Sequence, residues 1–342
     1  MMFRSLLEKL QVRHDLLTMQ PEELVTAAYK ALLRREPDPG GLKACSDGIR
    51  AGHDLEWLLG TLIRSEEFAL NRPPNDFPLD AAPPMDVQAN ATTQELRALW
   101  DHIGLVWTNF GATDPYWSVL TNDRWRAKNM TGEEAIESFY ATGQSDLLRL
   151  EAWLRRNSLE LNADAVCGEY GCGVGRLTQW LSTRFRRVVA LDISEPHLKA
   201  ARERLCRRGI DNVDFILVRG DEDLRVLDGV SLFYSMIVLQ HNPPPIMTEI
   251  LARAFAGLSD GGCCFFQIPT YSASYSFSVK SYWTELAAKK EMEMHFLPQK
   301  NVLELARQHE VFPVEIQPDG AIGNQRRWIS TTFLMRKSTR AK

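Results

Sequence analysis

Glu169-Tyr170-Gly171-Cys172-Gly173-Val174-Gly175-Arg176 stands between an apolar run, Ala165–Tyr170, and an amphipathic stretch, Leu177–Phe185. Three glycines at alternate positions let a backbone turn sharply and approach a ligand with no Cβ in the way. A helix starting behind them would offer unpaired N–H groups to an anionic group. Glycine-rich strand–helix turns serve several nucleotide ligands, so the turn alone leaves the ligand open. Its spacing departs from the dinucleotide fingerprint Gly-x-Gly-x-x-Gly: Arg176 holds the last position and the third glycine comes one residue early. The next apolar run, Arg187–Ile193, carries Asp192 about 20 residues beyond the glycines, where a carboxylate can accept both hydroxyls of a ribose. Ser194 is better placed than Asp192 to cap the helix that starts at Glu195.

Working outward, the apolar runs Ala165–Tyr170, Arg187–Ile193, Val213–Val218, Val230–Ser235 and Cys263–Ile268 alternate with helical stretches such as Leu177–Phe185 and Glu195–Arg207. Gly209 sits where a helix C-cap belongs. Strands alternating with helices predict crossover units and a parallel sheet covered on both faces. Two more strand-like segments follow, Val311–Ile316 and Thr331–Met335. Before this domain, residues 20–70 carry two helical stripes, Leu24/Ala27/Ala28/Ala31/Leu32 and Leu55/Leu58/Leu59/Leu62/Ile63, parted by Pro37-Asp38-Pro39-Gly40-Gly41. Pro73, Pro74, Pro78, Pro83 and Pro84 lie among small and polar residues, as in an extended linker. Residues 94–160 return to helical patterning with Trp100, Trp107, Trp117 and Trp125, a helical subdomain or a lid over a pocket.

The composition, 44% hydrophobic and 25% charged over 342 residues, excludes a mainly disordered, collagenous or membrane-spanning chain. A net charge of -4 gives no basic footprint, so no nucleic-acid partner is expected. The six cysteines form no Cys-x-x-Cys and suggest no zinc site; Cys263 and Cys264 read as small core residues. No signal peptide and no run of about 18 apolar residues is found, and a cytoplasmic protein is expected.

From about residue 161 to 342 the sequence resembles the class I S-adenosylmethionine-dependent methyltransferases. The resemblance rests on Glu169-x-Gly171-x-Gly173-x-Gly175, Asp192-Ile193-Ser194, Gly220-Asp221 and Leu239-Gln240-His241. It implies a Rossmann-like seven-stranded α/β sheet with helices on both faces and a C-terminal antiparallel hairpin. It also implies S-adenosylmethionine as cofactor, held by Glu169, Gly171, Gly173, Gly175, Asp192, Ile193, Asp221 and Leu239. Ser231 departs from the family, many of whose members have an acidic residue opening this strand.

Residues Ala28–Leu42 and Ser65-Glu66-Glu67-Phe68 are similar to phycobilisome-linker-like helical modules, which accompany bacterial glycosyltransferases and methyltransferases of surface-polysaccharide pathways. Pro115–Leu120 looks like the lead-in of such methyltransferases. The expected organisation is a helical module over 1–72, a Pro-rich linker over 73–93, a helical cap over 94–160 and the methyltransferase domain over 161–342. The module implies glycan-biosynthesis proteins as partners.

Methyl transfer from a sulfonium needs in-line positioning and exclusion of water. A hydroxyl acceptor also gains from a base, and histidine titrates nearest neutrality. His241 follows the fourth strand at the carboxyl edge of the sheet, where ligands bind in open α/β folds. It is the candidate base, or else a structural loop histidine, with His102 and His295 as weaker candidates. Gln240-His241-Asn242 lacks the carboxylates a hard cation wants, so no metal is expected. The ring- and hydroxyl-rich stretch Tyr271–Phe277, with Tyr271 and Tyr275, suits a sugar face, and Trp117, Tyr116 and Tyr282 extend the wall; the same residues also suit a packed lid. The expected acceptor is a sugar or glycan intermediate. The alternatives are a small metabolite and a non-catalytic scaffold in glycan assembly.

Overall fold

The computed structural model describes residues 19–33, 35–63, 65, 67–68, 84–162, 164–285, 291–322 and 328–339. The extreme N-terminus, Glu66 and the prolines at 73, 74, 78 and 83 lie outside them. The chain divides into two compact units, one on either side of the boundary between residues 82 and 83.

Among the described residues, the first unit holds three helices, α1 (Pro21–Leu33), α2 (Pro39–Arg50) and α3 (Leu55–Ile63). Their facing stripes bury Leu24, Val25, Ala28, Leu32, Leu58, Leu59 and Leu62 together. Asp38-Pro39 starts the second helix. Asp38 accepts the Gly41 N–H at 2.9 Å, and Pro39 takes the first turn, where no N–H is needed. Gly41 is required by close approach, since a Cβ there would lie 2.3 Å from the Tyr29 hydroxyl. Arg35 pairs with Glu67, so two parts of the N-terminal motif meet.

The second unit is a three-layer α/β fold. Its elements are β1 (Asp86–Val87), α4 (Thr93–Thr113), α5 (Glu133–Ala141), α6 (Gly143–Arg156), β2 (Val166–Tyr170), α7 (Thr178–Arg184), β3 (Arg187–Asp192), α8 (Glu195–Arg207) and β4 (Val213–Leu217). There follow β5 (Val230–Ser235), α9 (Pro244–Gly257), β6 (Leu258–Ser272), β7 (Ser276–Phe277), α10 (Val279–Glu285), α11 (Gln299–Gln308), β8 (Val311–Asp319) and β9 (Trp328–Lys337). Seven strands form one sheet in the order β4-β3-β2-β5-β6-β9-β8. All neighbours pair parallel except β9, which runs antiparallel to β6 and β8. The order reverses between β2 and β5, and a crevice opens there. Alternation along the strands sends Val189, Leu191, Phe233, Cys264 and Phe266 to one face. Val188, Ala190, Leu232, Cys263 and Phe265 go to the other, so the adjacent cysteines serve opposite cores. All six cysteines are unpaired.

Two features differ from the sequence reading. The end of the stretch read as a linker is structured: Asp86–Val87 pairs with Ser276–Phe277, and Ala89 is buried in the second unit. Helix α4, read as part of a cap, sends Leu99, Trp100 and Ile103 into the main core beside the sheet. It is closed by a Thr92/Glu95 capping box. No described helix is long and apolar enough to cross a membrane.

Candidate functional site

The glycine turn at the end of β2 is held by β3. The N–H groups of Gly171 and Cys172 both donate to the Leu191 carbonyl, at 2.8 and 3.0 Å. All three glycines are left-handed, with φ of 80° at Gly171, 55° at Gly173 and 80° at Gly175. A Cβ on Gly171 would lie 2.3 Å from Val238, and one on Gly173 would lie 2.6 Å from Val119. Asp192 closes the turn: the Gly173 N–H donates to its Oδ2 at 2.8 Å, and the Ser194 N–H to its Oδ1 at 2.9 Å. Each carboxylate oxygen thus keeps accepting capacity.

Above this turn a cleft is lined by Trp107, Ser118–Leu120, Asp146, Arg149, Glu169–Gly173, Arg176, Leu177, Asp192, Ile193, Tyr234, Met236–Val238, His241 and Asn242. Glu169 is only 4% exposed and accepts the Thr178 hydroxyl at 2.7 Å. Burial pushes its carboxyl up to about 7, against the lowering effect of the Thr178 hydrogen bond. Arg176 pairs with Asp146 at 2.5 Å, and Arg149 donates to Thr332 at 3.0 Å, so two cations flank the glycine end of the cleft. Helix α7 spans only Thr178–Arg184, beginning beyond Leu177, and its first hydroxyl turns back to Glu169. The glycine turn runs straight into this helix, the Gln179 N–H donating to the Gly175 carbonyl at 3.3 Å.

The opposite wall follows β5. Ser235 is anchored to the Tyr170 carbonyl at 3.0 Å, and Ile237 takes a left-handed φ of 59°. His241 ends the short 3-10 turn Leu239–His241. Its Nδ1 lies 2.7 Å from the Glu293 carbonyl and its Nε2 3.4 Å from the Gln240 side-chain nitrogen. A carbonyl only accepts, so Nδ1 carries the proton and Nε2 presents a lone pair. Burial drives the ring's pKa down to about 4, keeping it neutral. The Trp107 ring lies 5.2 Å from it.

Of the cofactor residues implied by the sequence, Glu169, Gly171, Gly173, Asp192 and Ile193 line this cleft together, as does His241. Gly175, Asp221 and Leu239 lie outside its lining. Gly175 packs on Ala201 and Leu205, Leu239 is fully buried, and Asp221 pairs with Arg253 at 2.9 Å. The aromatic acceptor wall does not assemble as read. Tyr282 is 1% exposed and donates to Glu293 at 3.2 Å; Tyr275 donates to His295 at 2.9 Å. Tyr271 sits on β6, and Trp117 lies under Arg126, 3.4 Å from the ring centroid. His102 packs against Tyr282 and Trp283. Trp107, Asp146, Arg149 and Tyr234 were not read as site residues. Their helix and strand patterns give the face each occupies, but not that the face meets the crevice. Among the described residues, no group of three or more His, Cys, Asp or Glu is placed to hold a metal ion.

Residues 169–262 match a family model described as "Methyltransferase domain". Over 113 residues the chain is 33% identical to a tRNA/tmRNA (uracil-C(5))-methyltransferase of a Nitratiruptor species, covering 33% of this chain and 31% of that protein. It is 26% identical to the enzyme of the same description from Sulfurimonas denitrificans over 113 residues, 33% of this chain and 30% of that protein. The match thus spans about a third of the length of these relatives. Among solved structures, the chain is similar to magnesium protoporphyrin IX methyltransferase from Synechocystis PCC 6803 with bound S-adenosylhomocysteine. The TM-score there is 0.45 at 16% identity, covering 69% of this chain and 100% of that one. It is also similar to the N-methyltransferase NodS from Bradyrhizobium japonicum WM9, with a TM-score of 0.41 at 16% identity, covering 66% of this chain and 98% of that one.

Proposed function

We propose that the second unit, a Rossmann-like α/β domain with a methyltransferase segment, is an S-adenosylmethionine-dependent methyltransferase that methylates a hydroxyl of a sugar or glycan intermediate. The observation that carries the cofactor reading is Asp192, at the end of β3, hydrogen-bonded to the Gly171–Gly175 turn beside the crevice where the strand order reverses. The site fits such a ligand. The left-handed glycines let the turn pack against Val119 and Val238, and Asp192 retains lone pairs for vicinal hydroxyls. Glu169, Gly171, Gly173, Asp192 and Ile193 would hold it, with Arg176 and Arg149 supplying positive charge near its amino-acid end. When bound, S-adenosylmethionine supplies an activated sulfonium methyl group.

The chain's own residues do the rest. Trp107, Val119, Leu120, Met236, Ile237 and Val238 enclose the cleft and exclude water. His241 offers a neutral Nε2 to the acceptor hydroxyl. A hydroxyl oxygen gains acidity steeply as its bond to carbon forms, so a weakly basic imidazole suffices to take the proton. The resulting imidazolium returns it to solvent. A sugar acceptor is supported by the likeness of the N-terminal module to modules that accompany glycan enzymes. The uracil chemistry in the relatives' names is not carried over, because the match spans a third of their length and the net charge here is -4. We further propose that the N-terminal unit recruits glycan-biosynthesis proteins and that the enzyme works in the cytoplasm.

The test is methyl transfer from radiolabelled S-adenosylmethionine to nucleotide sugars, lipid-linked sugars, small phenols and amines, with products weighed by mass spectrometry. Label in the sugar fractions alone supports the reading. Label only in phenols or amines overturns the sugar acceptor, and no calorimetric binding of S-adenosylhomocysteine by folded protein overturns the methyltransferase itself.

A further inference from the structure

Behind His241 lies a directed chain of buried polar groups that the transfer step does not use. Tyr275 O–H donates to His295 Nδ1 at 2.9 Å, His295 Nε2–H donates to Glu293 Oε2 at 2.8 Å, and Tyr282 O–H donates to Glu293 Oε1 at 3.2 Å. His295 and Tyr282 are each 1% exposed; the His295 ring packs edge to face with Tyr275 and Phe277, while Tyr275–Phe296 and Phe277–Tyr282 are tilted pairs. His102 approaches the same carboxylate, with Nε2 3.9 Å from Glu293 Oε1.

The backbone of this segment is stitched to the turn that carries His241. The His295 N–H donates to the Gln240 carbonyl at 2.7 Å, and His241 Nδ1–H donates to the Glu293 carbonyl at 2.7 Å. The Leu297 N–H donates to the Pro269 carbonyl at the end of β6 at 3.0 Å. Both Glu293 carboxylate oxygens are therefore pinned while its carbonyl faces the imidazole.

We infer that Glu293 is a positioning residue: locked by His295, Tyr275 and Tyr282, it holds its carbonyl against His241 and fixes that ring as the tautomer with the proton on Nδ1 and Nε2 unprotonated, beside the Gln240 amide nitrogen. This rests on the reading of His241 as the base in the proposed reaction. A ring free to flip or change tautomer would present N–H to the acceptor hydroxyl and could not take its proton. Restriction by an outer hydrogen bond is the general way a histidine's two nitrogens are given different roles.

The experiment is nitrogen-15 NMR on histidine-labelled full-length protein, with the His241 signals identified by their loss in His241→Gln. The expected wild-type spectrum shows a proton on Nδ1 of His241 and an unprotonated Nε2. In Glu293→Gln and in Tyr275→Phe, which deletes one hydroxyl and keeps the ring, the Nε2-protonated form is expected to rise from absent to readily detected. Tyr275→Phe decides if Glu293→Gln fails to fold by circular dichroism. A wild-type His241 protonated on Nε2, or a tautomer unmoved in the folded variants, overturns the inference. Calorimetry with S-adenosylhomocysteine separates it from the reading it rests on. Absent binding with the expected tautomer shift refutes the methyltransferase alone, and intact binding with an unmoved tautomer refutes the positioning role alone.

Discussion

The Gly173 N–H donates to Asp192 Oδ2 at 2.8 Å, tying the glycine turn after β2 to the carboxylate that ends β3. One bond thereby sets both halves of the crevice, the stretch where backbone approaches the ligand and the group that would accept ribose hydroxyls. Replacing Asp192 with Ala removes that acceptor and leaves the Gly173 and Ser194 N–H groups without a partner. Loss of charge-assisted hydrogen bonds costs about 1.5–3 kcal/mol each. A fall of roughly 10–100-fold in S-adenosylhomocysteine affinity is therefore expected. Calorimetry on wild type and Asp192→Ala measures it, and equal affinities would remove Asp192 from the cofactor site.

Gly171→Ala tests the turn itself. Its φ of 80° is a conformation that costs an L-residue, and the new Cβ would lie 2.3 Å from a Val238 methyl carbon. Strain of this kind costs about 1–3 kcal/mol. Thermal unfolding of the second unit should fall by roughly 2–4 °C per kcal/mol. Gly171→Ala combined with Val238→Ala opens the space but leaves φ unchanged, so it should recover only part of the loss. Full recovery in the double variant would show that the dihedral is not the constraint.

Ile237 carries strain of the opposite sense, because a β-branched residue sits at φ 59° where asparagine is tolerated. Its side chain is 42% exposed, so little apolar burial is lost on substitution. Ile237→Asn is expected to stabilise the second unit by about 1 kcal/mol. Ile237→Ala lacks the short polar side chain whose local hydrogen bond lets Asn visit this region, and should stabilise less. Thermal melts of the two variants side by side check the difference, and an Asn variant no more stable than the Ala variant would contradict it.

The sheet was legible because its period is local. Val230–Ser235 was read with the bounds it has, and Glu195–Arg207, with Ser194 as its cap, is the helix observed. Strand β6 was read too short. It runs Leu258–Ser272 through Asp260-Gly261-Gly262, turn residues in isolation that a register shift against β5 absorbs into the ladder. The glycine turn and Asp192 were legible for the same local reason. The partners of His241 were not: the carbonyl it bonds belongs to a residue 52 positions away. Trp107 was visible as one ring of an aromatic stretch, but no spacing within α4 reveals that its side chain reaches the cleft.

Glu169 and His241 predict a pH dependence of stability in which two slopes oppose. Burial raises the folded Glu169 carboxyl from 4.5 to about 7. Between those values the folded chain holds a proton the unfolded chain has lost, so stability falls as pH rises. By pH 7 and above the cost of this shift is on the order of 3 kcal/mol. His241 runs the other way. Its folded pKa drops from 6.5 to about 4, so the unfolded chain binds the extra proton in between. Stability from this group is complete above pH 6.5 and is lost as pH falls toward 4. Across roughly pH 4.5–6.5 the two contributions offset each other in wild type. Glu169→Gln keeps an acceptor for the Thr178 hydroxyl and removes the falling limb, so its advantage over wild type should grow from about pH 5 to about pH 7 and hold above it. His241→Gln removes the rising limb, leaving a variant whose stability declines from about pH 4.5 to about pH 7 and then levels off. Urea unfolding midpoints at half-unit pH steps measure both, and a Glu169→Gln advantage that shrinks with rising pH would reverse the assigned sign.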